Sequence, residues 1–283
     1  MSATLVSLWA DIRKRFEASG VDTPVIDARL LLEAGAGVAR LDIITDPRRA
    51  LSQEQVDAVE LLVARRLKRE PVAHIVGAKA FWTIELKVSP AVLIPRPETE
   101  LLVESVLTFV APDDAARILD LGVGSGAILL AALRERPNAV GVGVDLSEAA
   151  LEIAQANAEA LGLRERVRLV QGDWGAGLAE AFDVVVSNPP YIPTSHIAGL
   201  APEVADHEPH LALDGGADGL DAYRTIISQL PGLLRPGGGF ALEVGMGQAA
   251  DVYALAEAAG LDLLPNRADL AGIERVVWGK RRA

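Results

Sequence analysis

Arg117-Ile-Leu-Asp-Leu-Gly-Val-Gly-Ser-Gly126 is an apolar strand-like run that breaks into three alternating glycines, and Ala127 to Arg136 then continues as an apolar helix pattern. Glycines at a strand-to-helix turn let the backbone approach a ligand closely and leave amide N–H groups pointing from the helix start. A nucleotide-like cofactor fits such a turn. The spacing is Gly-x-Gly-x-Gly with Asp120 two residues ahead, whereas the dinucleotide fingerprint is Gly-x-Gly-x-x-Gly, so a nicotinamide cofactor is the weaker reading. A plain structural turn is the alternative.

Outward from this loop the chain alternates. Strands are predicted at Val140 to Leu146, Val167 to Gln171, Phe182 to Ser187 and Phe240 to Val244, and helices at Glu148 to Ala160, Tyr223 to Leu234 and Gln248 to Ala259. Strand and helix in turn predict an α/β fold, a mostly parallel sheet covered on both faces. Upstream the period changes to that of helices. Leu5, Leu8, Trp9, Ile12 and Phe16 form one stripe, Thr23-Pro24 opens a second helix that closes near Gly35-Ala36-Gly37, and Ser52 with Gln55 makes a capping box for a third that runs to Pro71. Between the two regions, Phe81 to Val88 and Val92 to Ile94 read as β-prone pieces of a hairpin split by Ser89-Pro90. The expected organisation is a helical domain over 1–73, a connecting hairpin over 74–97 and a cofactor-binding catalytic domain over 98–283.

Bulk composition narrows the function classes. Half of the 283 residues are apolar, 23% are charged, and no run reaches the eighteen or more apolar residues of a membrane span. The N-terminus lacks the basic region of an export signal, and there is no cysteine, so the expectation is a soluble cytoplasmic protein without disulfides. His74, His196, His207 and His210 show no metal-ligand spacing, and no metal is expected. The net charge of −12 is uneven: residues 1–95 carry 13 Lys+Arg against 12 Asp+Glu, and the other 188 carry 14 against 27. So acidic a body repels phosphate backbones and disfavours nucleic acid as a direct substrate.

Further site residues lie at the ends of the strands. Asp145 ends the second strand of the domain, where a carboxylate can accept hydrogen bonds from both hydroxyls of a ribose. It equally suits an N-cap, a role Ser147 can also fill. Asp173 and Trp174 end the third strand, where Asp173 can take an exocyclic amine and Trp174 can cover a ring face; an ordinary core aromatic is the alternative for Trp174. Asn188-Pro189-Pro190-Tyr191 follows the strand Phe182 to Ser187, at the carboxyl edge where open α/β sheets bind ligands. The prolines fix the backbone and remove its donors, so the Asn188 side-chain oxygen and the Pro189 carbonyl become acceptors suited to a planar NH2 group, with Tyr191 packing on that group. A rigid proline turn without chemistry is the alternative.

These blocks, together with Arg69 to Gly77, Leu93 to Glu100, Glu208 to Gly216 and Arg235 to Gly238, resemble the HemK/PrmC-type release factor glutamine methyltransferases over nearly the full chain. The resemblance implies a class I S-adenosylmethionine-dependent methyltransferase domain, Rossmann-like with a mostly parallel seven-stranded sheet, preceded by a small helical domain that helps hold the substrate. It implies methylation of the glutamine of the Gly-Gly-Gln loop in class I peptide chain release factors, by a protein expected to act as a monomer. Cofactor contacts are implied at Gly122, Val123, Gly124, Ser125, Gly126, Asp145, Trp174 and Asn188, to which the reading of the third strand's end adds Asp173. Substrate contacts are implied at Asn188, Pro189, Pro190 and Tyr191, of which Asn188, Pro189 and Tyr191 form the catalytic set. The chain departs from the family at Val123, where Thr is usual, and at His74, Thr83 and His207. Arg96 and Glu98 either help close the pocket or anchor the hairpin by an ion pair. Competing readings are a ribosomal-protein glutamine methyltransferase, an adenine-N6 enzyme and an inactive cofactor-binding partner.

Overall fold

The computed structural model describes residues 3–283. The chain divides into two compact units, one formed by residues up to Ala78 together with Ala201–His207, the other by Lys79–Leu200 and Glu208–Ala283.

The first unit is helical, with α1 (Leu5–Ala18), α2 (Pro24–Ala36), α3 (Arg40–Thr45), α4 (Gln53–Arg66) and α5 (Val72–Val76). The stripe read from sequence is its core: Leu5, Leu8, Ile12 and Phe16 of α1 pack with Leu31 and Leu32 of α2 and Val59 and Val63 of α4. Each such side chain taken from water stabilises by roughly 1.5–3 kcal/mol. Ser52 and Gln55 close the capping box of α4, and Gly37 ends α2 in the left-handed conformation. Thr23 opens α2 differently from expectation. Thr23 holds the N-cap position, but its hydroxyl donates to Asp27 Oδ1 at 2.8 Å and accepts no backbone N–H of the first turn, where Pro24 has none to offer.

Asp27 in turn accepts from Arg66 Nε at 2.7 Å, and both side chains are almost fully buried. Arg66 Nη1 and Arg69 Nη2 donate to the two oxygens of Glu203 at 2.9 and 2.8 Å. Glu203 lies in the late segment Ala201–His207, so this unit takes a strap of chain from far along the sequence.

The second unit begins with the two-stranded β1 (Ala78–Phe81) and β2 (Ile84–Lys87), then α6 (Glu100–Phe109). The hairpin sits one step earlier than expected. It turns at Trp82-Thr83, with Trp82 at φ 54, and Val92 to Ile94 is not a strand. There the Ser89 hydroxyl and carbonyl take the N–H groups of Ala91 and Val92, and Glu208 takes that of Ile94, so most of the donors a ladder would need are already used. Next come β3 (Arg117–Leu121), α7 (Ala127–Glu135), β4 (Val140–Asp145), α8 (Glu148–Ala160), β5 (Val167–Gln171) and β6 (Phe182–Ser187). After α9 (Pro202–Ala205), which belongs to the strap, follow α10 (Asp221–Leu233), β7 (Leu234–Glu243), α11 (Ala249–Ala258), β8 (Leu261–Leu263), β9 (Arg267–Ala268) and β10 (Glu274–Arg281).

The sheet runs β5-β4-β3-β6-β7-β10-β8, with the two-residue β9 as an additional strand paired to β10. This is the α/β architecture expected, parallel from β5 to β7, with β10 antiparallel between β7 and β8. One core layer joins the sheet to α6, α7, α8 and the hairpin residues Phe81, Ile84 and Leu86; the other joins it to α10 and α11. The carboxyl ends of β3, β4 and β6 therefore open at one edge. No helix among the described residues is long and apolar enough to cross a membrane.

Candidate active site

The glycine loop after β3 needs glycine for its conformation. Gly122, Gly124 and Gly126 have φ of 75, 52 and 84°, a region where a side chain is strained. Gly126 is the N-cap of α7. The loop is held to the next strand by Gly122 N and Val123 N donating to Val144 O, at 2.8 and 2.9 Å. Asp145 completes the tie, its Oδ2 accepting from Gly124 N at 2.9 Å and its Oδ1 from Ser147 N at 3.0 Å. Ser147, not Asp145, caps α8, accepting from Ala150 N at 3.2 Å. A carboxylate offers about four lone-pair sites, so Asp145 retains two toward solvent.

Beneath the loop Asp120 is fully buried, and neither of its oxygens has a hydrogen-bond partner of normal geometry. Burial pushes its pKa well above the usual carboxylate range, aided by the Asp145 charge and opposed by the Leu129 backbone.

A cavity of about 470 Å³ opens at this edge, within the size range of small-molecule sites. It brings together Gly122, Val123, Gly124, Ser125, Asp145, Asp173, Trp174, Asn188 and Pro190. Trp174 is held at φ 52, an uncommon conformation for a bulky residue. Gly126, Pro189 and Tyr191 do not line the cavity. Gly126 is turned into the helix start, where a β-carbon would stand 2.8 Å from Leu130 Cδ1. Pro189 is buried. Tyr191 packs beside Gly245, and its carbonyl accepts from Gln248 Nε2 at 2.9 Å. Burial pushes the Tyr191 phenol up to about 12.

Asn188 is set by neighbours that sequence reasoning did not single out. Its Nδ2 donates to Thr99 Oγ1 at 3.2 Å, and Thr99, 4% exposed, also lines the cavity. Glu243, at the end of β7, is buried beside Thr99 and Asn188, and its Oε2 has no hydrogen-bond partner. Burial pushes its carboxyl up to about 7, reinforced by the Glu98 charge, while Thr99, Arg275 and Asn188 pull it down. The signal for Thr99 was its place in the block Leu93 to Glu100; that for Glu243 was a lone acid ending an apolar strand. Arg96 pairs with Glu208, Nη2 to Oε1 at 2.5 Å, so it anchors the segment after the hairpin to Glu208-Pro209. Pro209 and Leu211 also line the cavity.

Residues 7–77 match a family model described as the PrmC N-terminal domain, and residues 112–244 one described as a methyltransferase domain. The release factor glutamine methyltransferase of Caulobacter vibrioides is 51% identical over 280 residues, spanning 99% of this chain and 97% of the relative. The chain belongs to the release factor glutamine methyltransferase family. The family member of Rhodospirillum rubrum is 47% identical, over 95% of this chain and 82% of its own length. A methyltransferase from Pyrococcus furiosus shares the fold with a TM-score of 0.54 at 19% identity, across 78% of this chain and 98% of that one. The family's α/β methyltransferase architecture and enzymatic class are thus those of this chain.

Proposed function

We propose that this chain transfers a methyl group from S-adenosylmethionine to the side-chain amide nitrogen of the glutamine in the Gly-Gly-Gln loop of class I peptide chain release factors. The observation that carries the reading is Asn188 in the wall of the cavity, with Nδ2 donating to Thr99 Oγ1 at 3.2 Å so that the amide oxygen remains as an acceptor.

The residues present fit the cofactor. The positive φ of Gly122, Gly124 and Gly126 turns the chain tightly into α7, and although the N–H groups of these glycines are bonded within the protein, Gly122 and Gly124 present no β-carbon to the cavity, so a ligand can approach the backbone closely. Asp145 has lone pairs left for two ribose hydroxyls, and Asp173 and Trp174 share the same cavity wall for a purine. The orphaned, fully buried Asp120 lies directly before the loop, where an ammonium group would relieve it. When bound, S-adenosylmethionine supplies an electrophilic methyl carbon on a positively charged sulfur.

The protein's contribution is alignment and polarisation. Asn188 Oδ1 accepts one hydrogen of the glutamine NH2, aiming its nitrogen and pushing electron density back onto it, and the carbonyl of Pro189, a residue buried behind the cavity lining, is assigned to the other hydrogen only in the substrate-bound state. With the methyl carbon supplied by a bound cofactor, whose sulfur would retain the bonding electron pair, Asn188 would hold the amide nitrogen in place and the methylated nitrogen would give up one proton to solvent. No general base is assigned. Tyr191, standing outside the cavity wall, supports the tetrapeptide through Gln248 and Gly245, and we assign it to holding that turn. Val123 lines the cavity without a hydroxyl, so no polar side-chain contact is assigned there. The helical unit is assigned to holding the release factor, and the acidic catalytic unit to a protein substrate in preference to a nucleic acid.

Methyl transfer from labelled cofactor to a purified release factor tests the reading, with mass spectrometry locating the label. The expected result is one methyl on the Gly-Gly-Gln glutamine; transfer to an adenine or a ribosomal protein with the release factor unmodified would overturn it.

A further inference from the structure

The Asn188 amide can serve as an acceptor only if it does not flip, since a half-turn about its last bond exchanges oxygen for NH2. The structure contains a device against that. The Nδ2 of Asn188 donates to Thr99 Oγ1 at 3.2 Å, and the buried Glu243 carboxylate lies beside both side chains, with Oε2 still lacking a partner. Thr99 has one hydroxyl proton, and Glu243 is an acceptor for it. A directed chain results, Asn188 to Thr99 to Glu243, in which each member's donor is used up by the next. The flipped amide would set its oxygen against the Thr99 oxygen and a carboxylate oxygen, losing the hydrogen bond to Thr99 in a water-excluded place.

All three members stand on rigid elements. Thr99 ends the helical turn Pro97–Thr99 that leads into α6, and its own N–H is bound to Arg96 O at 3.2 Å. Glu243 faces Val276 across the β7–β10 ladder, while Leu242 beside it pairs with Ser187, the residue before Asn188. Thr99 and Glu243 are 4% and 3% exposed, so water does not replace either partner.

We propose that Thr99 and Glu243 are positioning residues that lock the Asn188 amide with Oδ1 toward the substrate nitrogen. This rests on the reading of Asn188 as the acceptor for the glutamine NH2. Neither residue touches the reacting atoms; each acts through Asn188.

Thr99→Val keeps the shape and removes the hydroxyl, Thr99→Ser keeps the hydroxyl, and Glu243→Gln replaces a pure acceptor by a group that can also donate. Kinetics on a purified release factor should show kcat lowered about 10- to 100-fold in Thr99→Val, with KM for the release factor little changed. Thr99→Ser should return to within about threefold of wild type, the affinity for S-adenosylhomocysteine should stay within about twofold in all three, and the melting temperatures of the two Thr99 variants should be unchanged. If Thr99→Val fails to fold, Glu243→Gln decides, with the same loss of kcat expected. Wild-type kcat in Thr99→Val, or in a folded Glu243→Gln when Thr99→Val is not folded, overturns the proposal. Those outcomes differ from failure of the functional reading itself, in which the wild-type enzyme leaves the release factor unmethylated or Asn188→Ala is fully active.

Discussion

Trp174 stands over Gly122: a β-carbon placed on the glycine would lie 3.4 Å from Trp174 Cζ3. Gly122 also has a φ of 75°, so a side chain there is strained by its own backbone as well as crowded by the indole. Gly122→Val should therefore displace the wall of the cofactor cavity while leaving the sheet intact. The expected outcome is at least a tenfold loss of affinity for S-adenosylhomocysteine by calorimetry, of order 1–2 kcal/mol, with a far-ultraviolet spectrum like that of wild type. Unchanged affinity would separate the glycine loop from cofactor binding.

Asn188→Ala removes the side-chain acceptor and leaves the glycine loop and Asp145 untouched. Methyl transfer should fall by on the order of 10² or more, as for loss of one transition-state hydrogen-bond partner, with S-adenosylhomocysteine still bound. Single-turnover rates with saturating cofactor give the measurement. A variant that turns over near the wild-type rate would remove Asn188 from the chemistry.

Glu243 predicts a pH dependence of opposite sign for stability and for activity. Burial, with the Glu98 charge, lifts its pKa from 4.5 to about 7 against the pull of Thr99, Arg275 and Asn188; Tyr191 and Tyr223 are its other titratable neighbours. A raised folded pKa means that stability from the protonated form is fully present below 4.5 and is lost as pH rises through about 7. Wild type should thus lose melting temperature relative to Glu243→Gln between pH 5 and pH 8. Activity should run the other way: protonated Glu243 becomes a donor that competes for Thr99 and Asn188, so kcat should fall as pH drops through about 7. Parallel pH profiles for wild type and Glu243→Gln would contradict both statements.

The Arg66–Asp27 pair is buried at both ends. Arg66→Ala leaves Asp27 inside without its cation and should cost about 3–5 kcal/mol in chemical denaturation. Arg224, which pairs with Asp218 and Asp221 at the surface, is the control: Arg224→Ala should leave the denaturation midpoint essentially unchanged.

Much of this was legible before any coordinates, for definite reasons. The central strands β3 and β6 are legible because parallel strands buried on both faces are short, mostly apolar runs bounded by turn residues, and the edge strand β5 because Val167, Leu169 and Val170 stand between a helix end and Gly172. The glycine loop was legible because positive φ leaves few choices of residue. The last part of the sheet was not. The strand β10 carries Arg275, Trp278, Gly279, Lys280 and Arg281 among its apolar residues, and only its antiparallel partners β7 and β8 make it a strand. Trp82 in a turn masked the true hairpin position, since nothing local tells a bulky residue that it will sit at positive φ. Thr99 and Glu243 meet Asn188 only in space. Pairings at separations of 89 residues, such as Asn188 to Thr99, have no local pattern to read. The Ala201–His207 strap was hidden similarly, because Glu203 gains its meaning from Arg66 and Arg69.

The position of β10 bears on how the enzyme comes into being. Residues 274–281 are inserted between β7 and β8, and Val276 lies opposite Glu243. Until a ribosome has made that stretch, β7 is a bare edge with unmet backbone groups, and the carboxylate behind the acceptor amide has no fixed seat. A nascent chain halted anywhere before Ile273 should therefore be catalytically silent, whatever its glycine loop and tetrapeptide have already achieved. Activity should switch on late in synthesis, in a single cooperative closure of the sheet.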